Sequence, residues 1–244
     1  MKVIDTHFHI WQQNDASWVQ NAPARLRRDF TFLEYLTEFS ECDFLGGVYV
    51  EINADEPKAE SDKMLSFKHQ KLLALCLATI GANSFREVLH TKQSGYCLGS
   101  EFKKTINLVN ANDLLFEVCI NENELSNFNK IIKEFKTGII FNHFANIKDF
   151  SGKDTLKQIA KKENAYMKLS CQDDFVLGKD YSKLLDMAFN IFGEDRICFG
   201  SNYPVSELKP NEWIRIIDSH FKSDDLKEKI FYLNAKEIYK TKEI

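Results

Sequence analysis

The segment Val3-Ile4-Asp5-Thr6-His7-Phe8-His9 sets two imidazoles two residues apart in a run that otherwise reads as a strand. Side chains alternate along a strand, so His7 and His9 point the same way, together with Asp5, about 7 Å apart along the chain. Two imidazoles so placed can share a metal ion or clasp one substrate group. The competing reading is a pair of polar strand residues with separate structural partners. A third histidine, His143, follows the apolar run Ile139-Ile140-Phe141 and Asn142. Histidines at the carboxyl ends of two strands stand where a barrel builds its sites. Other strand ends add polar groups: Glu51 after Val48-Tyr49-Val50, and Lys168 within Tyr166-Met167-Lys168-Leu169-Ser170. Asn202 follows Gly200 and Ser201 and precedes Pro204, which forbids an immediate helix and keeps the asparagine at the strand mouth. A charge at a barrel strand end is more often functional than one on a helix face, a structural ion pair being the alternative. His69, His90 and His220 lie in or near helical patterns; packing or surface roles suffice for His69 and His220.

The elements that must position these groups alternate. Short apolar runs read as strands at residues 2–9, 46–51, 72–80, 114–120, 137–143, 165–171 and 196–201. Between them lie amphipathic helix patterns at 32–39, 57–70, 100–112, 123–135, 154–162, 181–192 and 211–221. Pro57 suits a first helical position, and Asn123 and Asp154 suit N-terminal caps. Strands alternating with helices imply a parallel sheet. A doubly wound open sheet is disfavoured because no glycine-rich turn follows the first strand. The expectation is an α/β fold, a TIM-like (β/α)8 barrel, with residues 1–244 as one domain. It is a distorted barrel, because only four residues separate Ile80 from Phe85, where a parallel crossover needs a dozen or more. The third βα unit is therefore expected to be short, with one strand displaced or with the block 85–90 outside the barrel.

Composition narrows the partners. The 44% hydrophobic and 28% charged residues suit a globular enzyme, and a net charge of -4 gives no basic footprint for nucleic acid. No apolar run approaches the roughly 18 residues of a membrane span, and no signal peptide opens the chain. The six cysteines form no CxxC motif and read as reduced core residues of a cytoplasmic protein. A small-molecule substrate is the expected partner.

These residues together resemble the amidohydrolase-2 branch of the amidohydrolase superfamily, and its sugar-lactonase-like members in particular. The resemblance runs through Ile4-Asp5-Thr6-His7-Phe8-His9-Ile10-Trp11, Leu26-Arg27-Arg28-Asp29-Phe30, residues 48–51 and Phe85-Arg86-Glu87-Val88-Leu89-His90. It continues through residues 142–146 and 200–205 to Asn234-Ala235 before Tyr239. It implies a barrel enzyme that opens lactones such as L-fucono-1,5-lactone, with some relatives acting as decarboxylases. By position it makes His7, His9 and His143 ligands of a divalent metal such as zinc, or polarisers of a substrate carbonyl. Arg86 and Lys168 would hold a carboxylate or sugar hydroxyl, and Trp11 would form an aromatic wall. Asn202 departs from the family's usual aspartate, and an amide is no general base. Three neutral histidines with one open position still make a workable zinc site, and Glu51 is then the candidate base. Asn142 likewise replaces a usual aspartate. The rival expectations are a metal-dependent decarboxylase or amide hydrolase on the same barrel, and a non-catalytic sugar-binding barrel.

Overall fold

The structure, a computed structural model, describes residues 1–170 and 181–241. Its strands are β1 (Lys2–Phe8), β2 (Asp43–Val50), β3 (Leu72–Leu77), β4 (Ser84–Val88), β5 (Leu115–Cys119), β6 (Ile139–Phe141), β7 (Ala165–Ser170) and β8 (Ile197–Gly200). Helices α1 (Ser17–Asn21) and α2 (Phe32–Thr37) follow β1, and α3 (Pro57–Ser66) follows β2. Next come α4 (Ser100–Ala111), α5 (Leu125–Ile131), α6 (Lys153–Ile159) and α7 (Ser182–Phe192). After β8 come α8 (Pro210–His220), α9 (Asp224–Glu228) and α10 (Asn234–Tyr239). The strands form one parallel sheet in sequence order, as expected of a (β/α)8 barrel. Its seam closes at the mouth: Asn202 N–H donates to His7 O at 2.8 Å and His9 N–H to Tyr203 O at 2.8 Å.

Local chemistry explains most element ends. Pro57 opens α3 at its first turn, as expected. The Thr31 hydroxyl caps α2 by accepting from Glu34 N–H at 3.2 Å. Two expected caps are corrected. Asn123 sits inside a short 3₁₀ turn before α5, and Asp154 lies within the first turn of α6, where it pairs with Lys157 at 2.8 Å.

The short third unit is a finding of the topology. Residues 85–90 do carry a strand, β4, joined to β3 by residues 78–83 without a helix. The link can be this brief because β4 begins where β3 ends: Cys76 pairs with Ser84 and Leu77 with Phe85. The chain need not travel back along a full strand, which is what makes an ordinary parallel crossover long. Asn83 fastens the link, its N–H donating to Leu75 O and its Oδ1 accepting from Leu75 N–H, both at 2.9 Å.

Inside the barrel the side chains are small or branched: Ile4, Val48, Val50, Ala74, Cys76, Ile140 and Cys198. The C-terminal helix α10 contributes Ala235 and Tyr239 to this interior. Asn234 pins it, donating to Glu194 O at 2.7 Å and Ile197 O at 2.8 Å, beside the start of β8. A larger aromatic-rich layer, including Phe102, Phe116, Phe128 and Phe135, packs between strands and helices. Of the cysteines, Cys76, Cys97, Cys119 and Cys198 are buried and free and Cys42 is half-buried and free; Cys171 lies outside the described residues.

Candidate active site

The loops after the strands enclose a cavity of about 660 Å³ at the carboxyl end of the barrel. His9, Arg86, His143 and Asn202 line it, with Trp18 and Arg25 from the loop after β1. His7 is fully buried and stands against both site histidines, its ring centroid 4.9 Å from that of His9 and 4.5 Å from that of His143. Gly200 makes this possible, because a Cβ there would come within 2.9 Å of His7 Cβ and 3.1 Å of Ser170 Cβ.

The alternation expected along β1 breaks at one point. Asp5 pairs with Gly47 but Phe8 with Tyr49, so three steps on β1 face two on β2. That bulge separates Asp5 from the histidines. Asp5 instead accepts from Tyr35 OH at 3.0 Å, Ser201 N–H at 2.7 Å, Ser201 OH at 2.6 Å and His7 N–H at 3.0 Å. It ties β1 to the exit of β8 and takes no place in the cavity. Burial lifts its carboxyl to about 6 in spite of these four donors.

The histidine tautomers follow from their partners. His9 Nδ1–H donates to Val50 O at 2.7 Å, so His9 Nε2 offers a lone pair. His7 Nε2 lies 3.1 Å from it and supplies the proton of that contact, which leaves His7 Nδ1 without a partner. Ser170 Oγ accepts from His143 N–H at 2.8 Å and lies 2.9 Å from His143 Nδ1. Ser170 thereby fixes the orientation of the His143 ring, with Nε2 as its other nitrogen. All three rings are neutral at pH 7. Burial brings His9 down to about 3, with Arg86 adding to the effect. Burial likewise holds His7 and His143 well below the ordinary histidine value, helped by His143 in the first case and Arg86 in the second.

His143 stands in an unusual backbone. His143, Phe144, Ala145 and Asn146 all have left-handed φ, at 50°, 51°, 56° and 47°. Non-glycine residues pay about 1–2 kcal/mol each for this conformation, and such cost collects at functional sites. Asn146 holds the far end by donating to Ile120 O at 2.9 Å. Asn202 has left-handed φ as well, at 57°, and passes its backbone O to Ser206 N–H at 3.0 Å.

Arg86 Nη1 donates to Glu51 O at 2.8 Å and Glu51 Oε1 at 3.2 Å, while Arg86 Nε has no partner. Glu51 Oε2 accepts a short bond from Asn53 N–H. The carboxylate offered by sequence as a base is thus committed to holding Arg86. Lys168 is also placed differently from the expectation. It is wholly buried below the cavity, where Nζ donates to Glu117 Oε2 at 2.5 Å and Thr6 O at 2.6 Å. Glu117, not singled out by sequence, is the hub of this interior network. It also accepts from Ser84 OH at 2.9 Å, Tyr239 OH at 2.6 Å and Asn142 Nδ2 at 3.1 Å. Asn142 therefore supports Glu117 and not a histidine. Trp11 packs between Trp18 and Phe30 and is 2% exposed, so the aromatic wall of the cavity is Trp18, whose Nε1 donates to Ile52 O at 2.8 Å. His69 lies against Phe32 and His220 pairs with Asp186, as packing and surface roles require.

The zinc expectation meets this donor set directly. Among the described residues no group of three His, Cys, Asp or Glu side chains could hold a metal ion. His7 and His9 turn their Nε2 atoms to each other at 3.1 Å, and the aspartate that would complete the set is Asn202. The described residues do not fit a zinc ion.

The amidohydrolase family model matches residues 90–241, well over half of the chain and including the strands that carry His143 and Asn202. The chain belongs to the amidohydrolase family. Similar solved structures cover this amidohydrolase almost end to end. Amidohydrolase 2 from Bifidobacterium longum subsp. infantis is 27% identical with a TM-score of 0.85, over 99% of this chain and 100% of that one. An amidohydrolase from Burkholderia multivorans with bound zinc is 16% identical with a TM-score of 0.83, over 99% and 100% of the two chains. The probable 2-pyrone-4,6-dicarboxylic acid hydrolase from Acinetobacter baumannii, with citric acid bound, is 15% identical with a TM-score of 0.79, over 98% and 100%. The last two likenesses are of fold. The curated proteins contain no match to this amidohydrolase. No helix among its described residues is long and apolar enough to cross a membrane.

Proposed function

We propose that this amidohydrolase is a hydrolase that opens a sugar-derived lactone to its aldonic acid. The observation that carries the reading is that the neutral imidazole of His143, oriented by Ser170, and the Arg86 guanidinium, oriented by Glu51, line one cavity; His143 acts there as the tautomer with N–H at Nε2. A neutral imidazole N–H polarises a carbonyl without the desolvation cost of a buried cation. The His143 donor takes the ester carbonyl oxygen, and the negative charge that develops there strengthens the bond as the tetrahedral centre forms. The Arg86 guanidinium holds a carboxylate or hydroxyl of the ring, and Glu51 fixes its orientation. Trp18 supplies an apolar face for the sugar ring. His9, locked by Val50 O and His7, lines the same cavity, and His7 stands against both it and His143. Asn202 contributes an amide and no charge, so it orients substrate and takes no proton.

Cyclic esters are reactive, and a barrier of modest height is within reach of one donor and good positioning. The cavity volume lies in the range that encloses a small ligand. The Acinetobacter neighbour's name supports the class, because a 2-pyrone is itself a cyclic ester.

Acid release from L-fucono-1,5-lactone and a panel of other sugar lactones, corrected for spontaneous opening, tests the reading. Acceleration by the wild type and its loss in His143→Ala are expected. Folded wild-type protein that accelerates none of them, with or without added zinc, would refute it.

A further inference from the structure

The proposed chemistry lacks a group to attack the carbonyl. Asn202 cannot activate water, Glu51 is held by Arg86 and Asn53 N–H, and Asp5 faces Tyr35 and Ser201. Glu117 is completely buried beneath the cavity in its bond to Lys168. The cavity nevertheless contains a thiol and an imidazole side by side. Cys119 ends β5 and His90 follows β4, and both line the cavity. The two strands pair with Val88 opposite Cys119 and Arg86 opposite Glu117. Arg86 and Val88 alternate along β4 onto one side, and His90 lies in the turn just beyond the strand, at the end of β5 that carries the thiol. The backbone ties the corner, with Leu89 N–H at 2.8 Å and His90 N–H at 3.1 Å both donating to Cys119 O. Asn146, at the end of the left-handed turn, donates its Nδ2–H to Cys119 Sγ at 3.6 Å. Arg86, 7% exposed, lines the same cavity.

Building on the lactone reading above, we propose that Cys119 is the acyl-accepting nucleophile of this cavity and that His90 is its proton partner. The surroundings suit the assignment. Burial works against the Cys119 thiolate, but the neighbouring His90, with Arg86 and Asn146, brings the thiol below its ordinary value. The nearness of Cys119 in turn holds His90 above the ordinary histidine value. A thiolate beside an imidazolium is the activated form of a cysteine nucleophile.

The steps balance. The thiolate sulfur bonds to the lactone carbonyl carbon, and the electron pair moves to the carbonyl oxygen, which His143 N–H stabilises. Collapse breaks the ring C–O bond, and the departing alkoxide takes the proton of His90. The result is a thioester with the opened chain carrying a free hydroxyl. Water then attacks the thioester carbonyl and gives one proton to neutral His90. The thiolate leaves, and the acid departs with the other proton. One water is consumed and the enzyme is restored. The assignment explains how a site with asparagine at position 202 can remain active, since the base function moves from β8 to the β4–β5 corner.

p-Nitrophenyl acetate tests the nucleophile without reference to the natural substrate. Wild-type protein is mixed with it, quenched in acid to preserve thioesters, digested and mapped by mass spectrometry. The expected result is acetyl on Cys119, formed in a burst with nitrophenolate, absent in Cys119→Ala and about 100-fold slower in His90→Gln. The same variants are assayed on the lactone panel, with Cys119→Ser as the closer replacement and denaturant unfolding to establish that each is folded. Lactone opening should fall by at least about 100-fold in both cysteine variants. Acetylation that spares Cys119, or lactone opening by a folded Cys119 variant within twofold of wild type, overturns the nucleophile. The second of these results leaves the lactonase reading standing. Acetylation of Cys119 without opening of any lactone supports the nucleophile and removes the lactone as its substrate.

Discussion

Replacing Lys168 by methionine separates a structural lysine from a substrate-binding one. The side chain is 0% exposed, as is its partner Glu117, and the two meet at 2.5 Å. Burial by itself would push the Glu117 carboxyl up, yet Lys168 and its other donors hold it below the usual carboxylate value. Methionine of similar length removes the ammonium and leaves a buried carboxylate with three neutral donors, Ser84, Tyr239 and Asn142. Breaking a buried pair from one side costs about 3–5 kcal/mol, because the surviving charge has no counterion. For a chain of this size that is a fall in Tm of roughly 6–20 °C. The double variant Lys168→Met/Glu117→Gln removes the orphaned charge as well, and should recover about half of the loss or more. Guanidinium unfolding of the wild type, both single variants and the double variant closes the cycle. A loss under about 1 kcal/mol in Lys168→Met, or a double variant no more stable than the weaker single one, would refute the buried-pair account.

Acid stability carries the signature of the neutral histidines. Their folded values are depressed, to about 3 for His9, so stability present above the unfolded histidine value of about 6.5 is lost as pH falls. Asp5, raised to about 6, acts in the opposite sense between about pH 4 and 6, because the folded chain holds that proton more tightly than the unfolded one. The depressed histidines outnumber Asp5, so stability falls with pH in that window, and His9→Gln should lessen the slope in urea titrations at successive pH values. An unchanged slope would mean that His9 is charged in the fold. Chelation with EDTA is expected to leave lactone turnover intact, since the described donors do not assemble a metal site; activity lost to EDTA and restored by zinc would reverse that reading. Glu51→Gln should raise KM more than it lowers kcat, as Arg86 loses its anchor at 3.2 Å, and the reverse pattern in steady-state kinetics would make Glu51 a proton carrier. Ala145→Gly, at φ 56°, is expected to stay within about 1 kcal/mol of wild type in denaturant unfolding, because relief of left-handed strain offsets the added freedom of the unfolded chain.

Sequence alone determined whatever rests on local periodicity and chain length. Alternating apolar runs and amphipathic stretches specify strands and helices because each element must bury one face. The spacing of His7 and His9 put both rings on one side of β1, and Pro57 marked a helix start. The short stretch before Phe85 exposed the missing crossover, since a chain cannot span a full parallel return in so few residues. Tertiary structure decided what depends on register and on partners distant in sequence. A bulge opposite β2 turned Asp5 away from the histidines, and no single-strand pattern contains that shift. Lys168 found Glu117 fifty-one residues away and so left the cavity. Trp18 took the wall in place of Trp11 because Trp11 is enclosed by Trp18 and Phe30. Cys119 and His90 met because β4 and β5 pair in a register that sets Val88 beside Cys119. Periodicity tells a residue which side it faces, but only the pairing of strands tells it which neighbour it meets there.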